Sequence, residues 1–312
     1  MYSKMTAYRK KHSCETALIG LVEDWRLALD NNQKALLLSM DMSKAFDSVL
    51  PSLTVAKLGA YGFNDKSLQL MRSYFKYRFN RVKVGKATSD WNVMIRGCPQ
   101  GSSFGPTLWN LYQNDLSYHI NEIANLNMNA DDHQMYIVGS DMSIMCTYME
   151  TEGNSALKWY KDNYLLSNPE KHNAIGIKQR NETEQINIKI GYQAIKTTDN
   201  IKLLGVNFDE NLIFSQHISD LCKKASQRVG VLARLRNLIT TETKLVLCKT
   251  AIMPYLTYCH LVWHFYKASD TRKIERIQER ALRIVYNSHS ETYMNLLDRA
   301  KLPSLLNRRL QD

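Results

Sequence analysis

The 312-residue sequence contains no apolar run of about 18 residues, the minimum that a membrane-spanning helix needs. Its first five residues carry a charge with no apolar stretch after it, so they are not typical of a secretory signal. Internal repeats and low-complexity linkers are also missing from the sequence. We therefore expect neither secretion nor a membrane partner.

Cysteine is scarce and scattered. The cysteines form no C-x-x-C pair and no histidine pair stands at zinc-binding spacing; the six are Cys14, Cys98, Cys146, Cys222, Cys248 and Cys259. A disulfide framework and a zinc site are therefore not expected, and an intracellular location in the cytoplasm or the nucleus fits best. An apolar fraction of 44% and a charged fraction of 23% exclude a wholly disordered, collagenous or fibrous chain.

Acidic residues are fewer than basic ones, and the deficit is local. The chain has 41 Lys and Arg against 30 Asp and Glu, a net charge of +11. Residues 215–312 hold 17 basic and 8 acidic residues, whereas the first 214 residues hold 24 and 22. A near-neutral body followed by a basic region is typical of a protein that grips nucleic acid with a separate part.

Hydrophobic periodicity predicts a mixed helix and sheet fold. An amphipathic helix is expected over 14–29 with Ser13 as its N-cap, and a buried strand over 35–40. Further expected elements are helices over 52–60, 65–76, 105–124 and 142–166, hairpins over 80–96 and 127–138, and strands over 173–178, 186–190 and 201–208. From 215 onward the pattern is helical, so we expect a helix-covered, mainly antiparallel sheet with a helical appendage.

Three carboxylates stand in a context that suits catalysis. Asp41 ends the buried strand, and Asp131 and Asp132 stand at a predicted hairpin tip. Asp is common in tight turns and at helix N-caps, so each position also has a purely structural explanation. Brought together, the three could hold two divalent cations about 4 Å apart for phosphoryl transfer. The spacing alone leaves both possibilities open.

At these residues the sequence resembles reverse transcriptases of non-LTR (LINE-type, jockey-like) retrotransposons. The resemblance covers residues 7 to about 310; its matching blocks stand in the family's order, and the ordered set is far more specific than any single block. The blocks are 8–13 (YRKKHS), 41–47 (DMSKAFD), 97–102 (GCPQGS) with Gly105 and Pro106, 130–132 (ADD), Asn168 with Lys171, and 203–206 (LLGV).

The resemblance implies an α+β right-hand polymerase, with a palm whose antiparallel sheet carries helices on one face, partial fingers and a helical thumb. Residues 1–34 are assigned to residual fingers and a connecting helix, 35–212 to the palm, and 213–312 to a basic thumb and C-terminal region. The implied enzyme is an RNA-directed DNA polymerase. It would extend a DNA primer on an RNA template with dNTPs and two Mg²⁺ ions, with Mn²⁺ as a possible substitute.

The resemblance also implies catalytic roles. Asp41 and Asp131 resemble the main metal ligands, and Asp132 resembles the auxiliary one. Lys171 resembles a general acid for pyrophosphate, although a solvated surface lysine explains it as well. Phe46 resembles the aromatic gate that excludes a 2′-hydroxyl, and core packing is the alternative explanation.

Further residues resemble substrate and nucleic-acid contacts. Gln100 and Gly101 resemble the residues that support the nascent base pair. Leu204 and Gly205 resemble residues that contact the primer. Those of the thumb, which would contact phosphates, form a stripe of Arg272, Arg276, Arg280 and Arg283. A solvated helix face is the alternative for the stripe, because Glu275 and Glu279 offer local ion pairs.

Two departures from the family bear on activity. Asn129 stands where the family has an aromatic residue, usually Tyr, that packs near the primer end, so reduced activity is expected. Family members also carry fingers before the block at 8–13 that supply basic residues for the dNTP triphosphate, so the chain looks N-terminally truncated. Arg9, Lys10 and Lys11 would compensate only in part.

These departures support an alternative hypothesis, a catalytically impaired nucleic-acid-binding remnant of such an element. A group II intron-type maturase is a third hypothesis, which the blocks SKAFD and LLGV oppose.

Overall fold

The computed structural model describes residues 1–179, 185–263 and 267–311. Contacts divide the chain into two units. The first consists of Met1–Ala17 and Trp25–Asp199, and the second of Leu18–Asp24 and Asn200–Asp312. This division differs from the predicted boundaries at 34 and 212, whose assignment to fingers, palm and thumb stays a prediction.

The first unit combines short strands with helices. Its strands are β1 (Lys34–Met40), β2 (Met42–Ser43), β3 (Phe79–Asn80), β4 (Lys83–Val84), β5 (Ala87–Thr88), β6 (Asn92–Val93), β7 (Asn125–Asn129), β8 (Asp132–Gly139), β9 (Leu166–Ser167), β10 (Asn173–Ile177), β11 (Asn187–Ile190) and β12 (Gln193–Lys196). Its helices are α1 (Cys14–Asp30, in part), α2 (Ala45–Ser48), α3 (Pro51–Ala60), α4 (Asp65–Phe75), α5 (Gly105–Gln113) and α6 (Met142–Asp162), with 3₁₀ turns at Asn114–Tyr118 and Pro169–Lys171.

A four-stranded antiparallel sheet in the order β10, β1, β8, β7 forms the centre of the first unit. Strand β1 is central because its apolar residues are buried on both faces. On one face, Leu38 lies beside α6 at Gly153. On the other face, Leu37 pairs with Tyr136, and Trp25 of α1 packs edge-on against that tyrosine. Helices therefore cover both faces, whereas the prediction placed them on one.

The start of α1 confirms the predicted N-cap. The Ser13 hydroxyl accepts a hydrogen bond from the Thr16 N–H, and the Thr16 hydroxyl accepts one from the Ser13 N–H. This reciprocal capping satisfies amide donors that the first helical turn leaves free. The buried strand predicted over 35–40 is also confirmed as β1.

Other elements differ from the prediction at turns. The helix expected over 105–124 ends at Gln113 and continues as a 3₁₀ turn. The strand expected over 201–208 is a hairpin, because Leu204 and Gly205 both adopt positive φ and reverse the chain. Strand β12 was not predicted; it pairs with β11 across the turn at Gly191.

The second unit is largely helical, as predicted from 215 onward. It contains β13 (Asn200–Leu203), β14 (Val206–Asp209), α7 (Ser215–Leu235), α8 (Thr241–Leu247), a π-helical turn (Cys248–Ile252), α9 (Met253–Thr257), α10 (His260–Trp263), α11 (Ala268–Tyr286), α12 (Tyr293–Ala300) and α13 (Leu305–Gln311). Helix α11 packs on α7, and each buries one apolar face. None of the helices in the described ranges combines the length and apolarity that a bilayer span requires.

Candidate active site

Three predicted carboxylates lie at one end of the central sheet. Asp41 directly follows β1, and Asp132 is the first residue of β8. Because Met40 pairs with His133 in the antiparallel register, the next step along the ladder places Asp41 beside Asp132. Asp131 occupies the two-residue turn between β7 and β8. The sheet thus brings together side chains from two separate sequence blocks.

The charges of this cluster act on one another. Burial, together with the negative charges of Asp131 and Asp41, raises the pKa of Asp132 to about 6, while Lys171 opposes the shift. Charge repulsion at this strength requires the carboxylates to be close and partly shielded from water. A cation would relieve that repulsion.

Lys171 supplies one positive charge at the cluster. Its Nζ lies 3.2 Å from Asp41 Oδ2, although most of the lysine side chain is exposed. It stands on the 3₁₀ turn Pro169–Lys171, and the preceding Asn168 donates its N–H to the Asp41 carbonyl at 3.0 Å. These contacts join the block of Asn168 and Lys171 to the block that starts at Asp41.

The donor set fits a hard cation with few protein ligands. Asp41 Oδ2 is buried and accepts no hydrogen bond from the described residues, although the Lys171 ammonium lies 3.2 Å from it. Across the described ranges, no group of three or more His, Cys, Asp and Glu side chains is arranged to hold a metal ion on its own. Mg²⁺ binds through one or two carboxylates and completes its shell with phosphates and water. The residues present therefore fit this ion better than a closed structural metal.

Aromatic rings border the cluster. The centre of the Phe46 ring lies 5.4 Å from that of Trp109 and 6.3 Å from that of Tyr8, which meets it edge-on. Phe46 is only partly buried. Burial raises the pKa of Tyr8, and the charge of Asp131 raises it further, so this ring lies near the carboxylates. Phe46 therefore both packs against other rings and lies beside the carboxylate cluster. Its role as a gate stays a prediction.

Sequence reasoning missed Trp109. Its Nε1–H donates to the Ala130 carbonyl at 2.8 Å, and Ala130 has a φ of 56°. This left-handed conformation is unfavourable for alanine, so a hydrogen bond to its carbonyl helps to hold the turn that carries Asp131. In the sequence, Trp109 is an apolar residue within a predicted helix, and nothing distinguishes it from an ordinary core residue.

The loop at 97–101 is joined to the block at 41–47. Gln100 Nε2 donates to Asp47 Oδ1 at 2.7 Å. A side chain at Gly97, which has a φ of 85°, would crowd the Asp47 backbone at 3.1 Å. Gly101 also adopts positive φ, with open space around it. The Gln100 side chain thus contacts α2 through Asp47, a residue to which the sequence assigned no role in the site.

The N-terminal segment lies along β7. Asn129 Nδ2 donates to the Thr6 hydroxyl at 2.8 Å, so the residue that replaces the family's aromatic holds this segment instead. Arg9 Nη1 donates to the carbonyls of Tyr2, Ser3 and Met5. The predicted role of Arg9 in substrate binding is therefore not supported, because its guanidinium braces the chain around it. Lys10 is exposed.

In the second unit, an aromatic ring packs against the hairpin that was predicted to contact the primer. Leu204 and Gly205 form the turn between β13 and β14, and the Leu204 carbonyl accepts a hydrogen bond from the Tyr258 hydroxyl at 2.7 Å. A Cβ at Gly205 would lie 3.2 Å from that ring. The glycine thus leaves room for the Tyr258 ring, and the contact of this turn with a primer stays a prediction. A cavity of about 450 Å³ opens beside the hairpin, next to Lys202 and Lys224.

The arginine stripe on α11 is shorter than predicted. Arg272, Arg276 and Arg280 are exposed. Arg283 is half-buried: its Nη2 lies 2.7 Å from Glu279 Oε1, and its Nη1 donates to the carbonyls of His289 and Glu291. Arg283 therefore fastens the end of the helix, and its predicted phosphate contact stays a prediction. The local ion pair with Glu279 was the alternative explanation.

A family model described as reverse transcriptase (RNA-dependent DNA polymerase) matches residues 1–208. This range includes all three carboxylates, Lys171 and the loop at 97–101. The hairpin at Leu204 and Gly205 also falls inside it, whereas the helices from α7 onward fall outside.

Curated relatives from Drosophila melanogaster align over most of the chain. They are a probable RNA-directed DNA polymerase from transposon BS (25% identical, 89% of this chain and 32% of the relative), the RNA-directed DNA polymerase from mobile element jockey (23%, 93% and 32%) and a probable RNA-directed DNA polymerase from transposon X-element (24%, 96% and 36%). The chain spans about a third of the length of these relatives. The matches confirm the resemblance predicted from the motif blocks.

Proposed function

Because the chain belongs to the reverse transcriptase (RNA-dependent DNA polymerase) family, we propose that it is the polymerase segment of a non-LTR retrotransposon protein. Its reaction would be RNA-directed DNA synthesis, in which a DNA primer is extended on an RNA template with dNTPs. The proposal rests above all on Asp41, Asp131 and Asp132, which meet at one end of the sheet, where Asp41 Oδ2 is buried beside the Lys171 ammonium.

The carboxylates would hold divalent metal ions, with Mg²⁺ as the expected species and Mn²⁺ as a substitute. When bound, such ions lower the pKa of the attacking hydroxyl and offset charge on the phosphate. Asp41 and Asp131 would be the main ligands, and Asp132 the auxiliary one. The pKa of Asp132 is raised by burial and by the charges of Asp131 and Asp41 beside it, a repulsion that bound cations would offset.

The neighbouring side chains would position the reactants. Lys171 would turn from Asp41 toward the departing pyrophosphate and donate a proton to it, since most of the lysine side chain is exposed. Phe46, braced by Trp109, would lie under the sugar of the incoming dNTP and clash with a 2′-hydroxyl. Gln100 and Gly101 would support the nascent base pair from the loop that Asp47 fastens.

The remaining contacts would come from the second unit. Leu204 and Gly205 would present their backbone to the primer, and Arg272, Arg276 and Arg280 would contact duplex phosphates without reading sequence. The alternative hypothesis, an impaired nucleic-acid-binding remnant, is not favoured, because the relatives that align are polymerases by name and the carboxylate set is intact.

Primer extension by the purified chain tests the proposal. The substrate is a DNA primer annealed to an RNA template, with dNTPs and Mg²⁺. We expect metal-dependent extension that Asp131→Asn lowers at least about 100-fold, because the variant removes a charge that acts only with the metal and the transition state. Binding of the same template–primer should change less than about threefold.

Asp65→Asn is the matched control, since it removes one exposed carboxylate from the first turn of α4. It should extend primers like the parent chain. No extension by the parent chain in Mg²⁺ or Mn²⁺, or equal extension by Asp131→Asn, would overturn the proposal.

A further inference from the structure

A second surface of the first unit has the chemistry of a nucleic-acid contact. It is the segment 76–96, here called the basic hairpin, in which β3 pairs with β6 and β4 pairs with β5. The segment contains six Lys and Arg residues and one acidic residue, Asp90. A local excess of this size attracts a polyanion.

Aromatic and aliphatic side chains of the basic hairpin face solvent. Tyr77, Phe79 and Trp91 are 87%, 50% and 60% exposed, and Val82, Val84, Val93 and Ile95 are exposed as well. Soluble proteins leave single apolar residues exposed, but seven exposed apolar side chains within one short hairpin indicate an interaction surface. Because it is interleaved with positive charge, its partner is expected to offer both flat apolar faces and negative charge.

One pair shows how the two features combine. The Arg81 guanidinium lies 4.5 Å from the centre of the Trp91 ring, with both side chains exposed. On the paired strands beside them, Phe79 stands opposite Val93 and Lys83 stands opposite Thr88. A ring with a planar cation against it can stack a nucleic-acid base while the charge meets the adjoining phosphate.

The base of the basic hairpin is fastened to the candidate active site. Arg78 donates to the Gly97 carbonyl, and the Gly97 N–H donates to the Val49 carbonyl at 2.7 Å. Gly97 opens the loop that carries Gln100, which bonds Asp47. The basic hairpin is therefore joined directly to the loop that would support the predicted base pair.

We infer that the basic hairpin binds unpaired nucleic acid, the single-stranded stretch of the template strand. Trp91 and Phe79 would stack on its bases, and Arg81, Lys83 and Lys86 would contact its phosphates. The choice of the template as the polyanion rests on the proposed function; the preference for an unpaired strand rests on the exposed rings, because bases inside a duplex offer no free face for stacking.

Equilibrium binding measures this directly. The probe is a short, unstructured single-stranded RNA with a fluorescent label, added to the full chain without metal or dNTPs. Trp91→Ala should weaken binding about 10-fold, in line with the loss of one stacked base. Trp91→Phe keeps a flat ring and should stay within about threefold of the parent chain. The same RNA fully paired to DNA should bind both variants within about twofold of the parent.

Salt dependence tests the charges separately. The triple variant Arg81→Gln, Lys83→Gln, Lys86→Gln should reduce the slope of log K against log salt concentration by about 2, since each phosphate contact on a single strand contributes about 0.7.

The matched controls lie on a second hairpin of the same unit, formed by β11 and β12 and here called the core hairpin (187–196). Lys189, Lys196 and Tyr192 are exposed there. Tyr192→Ala and the pair Lys189→Gln, Lys196→Gln should leave both the affinity and the salt slope unchanged.

Two results would overturn the inference. One is equal affinity of Trp91→Ala and the parent chain for single-stranded RNA. The other is self-association of the parent chain that Trp91→Ala abolishes without changing RNA affinity, which would make the surface a contact for a second copy. A chain without polymerase activity can still pass the binding test, and a chain that extends primers can fail it, so the two proposals fail separately.

Discussion

The core hairpin and the basic hairpin have similar sequence patterns and opposite surroundings. Both alternate β-branched apolar residues with polar or basic ones. In the core hairpin, Ile188, Ile190 and Ile195 are at most 7% exposed, whereas Val82 and Val84 of the basic hairpin are at least 67% exposed. The same alternation therefore stabilises the protein in one place and leaves an apolar surface in the other.

Helix α6 accounts for the difference. Asn154 accepts a hydrogen bond from the Gly191 N–H at 2.8 Å, and Glu150 accepts one from the Lys189 N–H at 2.7 Å. These bonds hold the core hairpin edge against the helix, so its isoleucines are directed into the core. Among the described residues, the basic hairpin is fastened at its base, where Arg78 donates to the Gly97 carbonyl and Arg96 lies 5.7 Å from the centre of the Tyr164 ring. Alternation predicts a strand, but the tertiary neighbours decide whether its apolar face is buried.

The largest expected effect comes from truncating one residue in each hairpin. Ile190→Ala should lower the free energy of unfolding by about 2–5 kcal/mol, because it removes buried methyl groups and leaves a cavity in the core. Val84→Ala should lower it by less than about 1 kcal/mol, because that side chain is already exposed. Urea unfolding of both variants gives the comparison.

A similar loss in the two variants would break the contrast, since it would mean that Val84 is buried in solution. Lys196→Ala serves as the control on the core hairpin: the residue is exposed, so its loss should resemble that of Val84→Ala.

Much of the fold follows from the sequence, and the exceptions share a cause. The strand ending at Asp41, the helix capped by Ser13 and the helical second unit carry local signals that specify them. The hairpin at Leu204 and the early end of α5 at Gln113 depend on turns. A turn at Leu204 requires positive φ in a leucine, which local propensity opposes and only the surrounding structure imposes.

The candidate site divides in the same way. Asp41, Asp131, Asp132 and Lys171 were named from sequence blocks, and the sheet register brings them together. Arg9 was assigned from a basic motif block and Arg283 from a basic helix stripe, and both donate to backbone carbonyls. Charge in a sequence indicates which residues can bind a phosphate, but not which of them the fold has already engaged.

A second, smaller effect sharpens the account of the core hairpin. Gly153 of α6 has no side chain, and a Cβ there would overlap Ile190 Cδ1 and lie 3.1 Å from Leu38. Gly153→Ala gains up to about 1 kcal/mol of helix propensity but costs about 1–3 kcal/mol in overpacking. Because the overlapped atoms are buried, overpacking should win, and the free energy of unfolding should fall by about 1 kcal/mol.

The sign of that effect should depend on Ile190. Ile190→Val removes the overlapped Cδ1, so adding Gly153→Ala to it should raise the free energy of unfolding instead of lowering it. A destabilisation of equal size in both backgrounds would show that the packing of the core hairpin on α6 is not what disfavours alanine at 153.

The smallest expected effect lies in the exposed pair of the basic hairpin. Arg81 and Trp91 should couple by only about 0.5–1 kcal/mol in a double-mutant cycle of unfolding, built from Trp91→Ala and Arg81→Gln, because a cation–π contact in water is weak. A coupling above about 2 kcal/mol would assign the ring to structure, and its exposure would need no ligand. A small coupling together with a 10-fold loss of RNA binding in Trp91→Ala would show that the two hairpins have different roles. In the core hairpin, apolar side chains stabilise the fold; in the basic hairpin, the same kind of side chain is available to a partner.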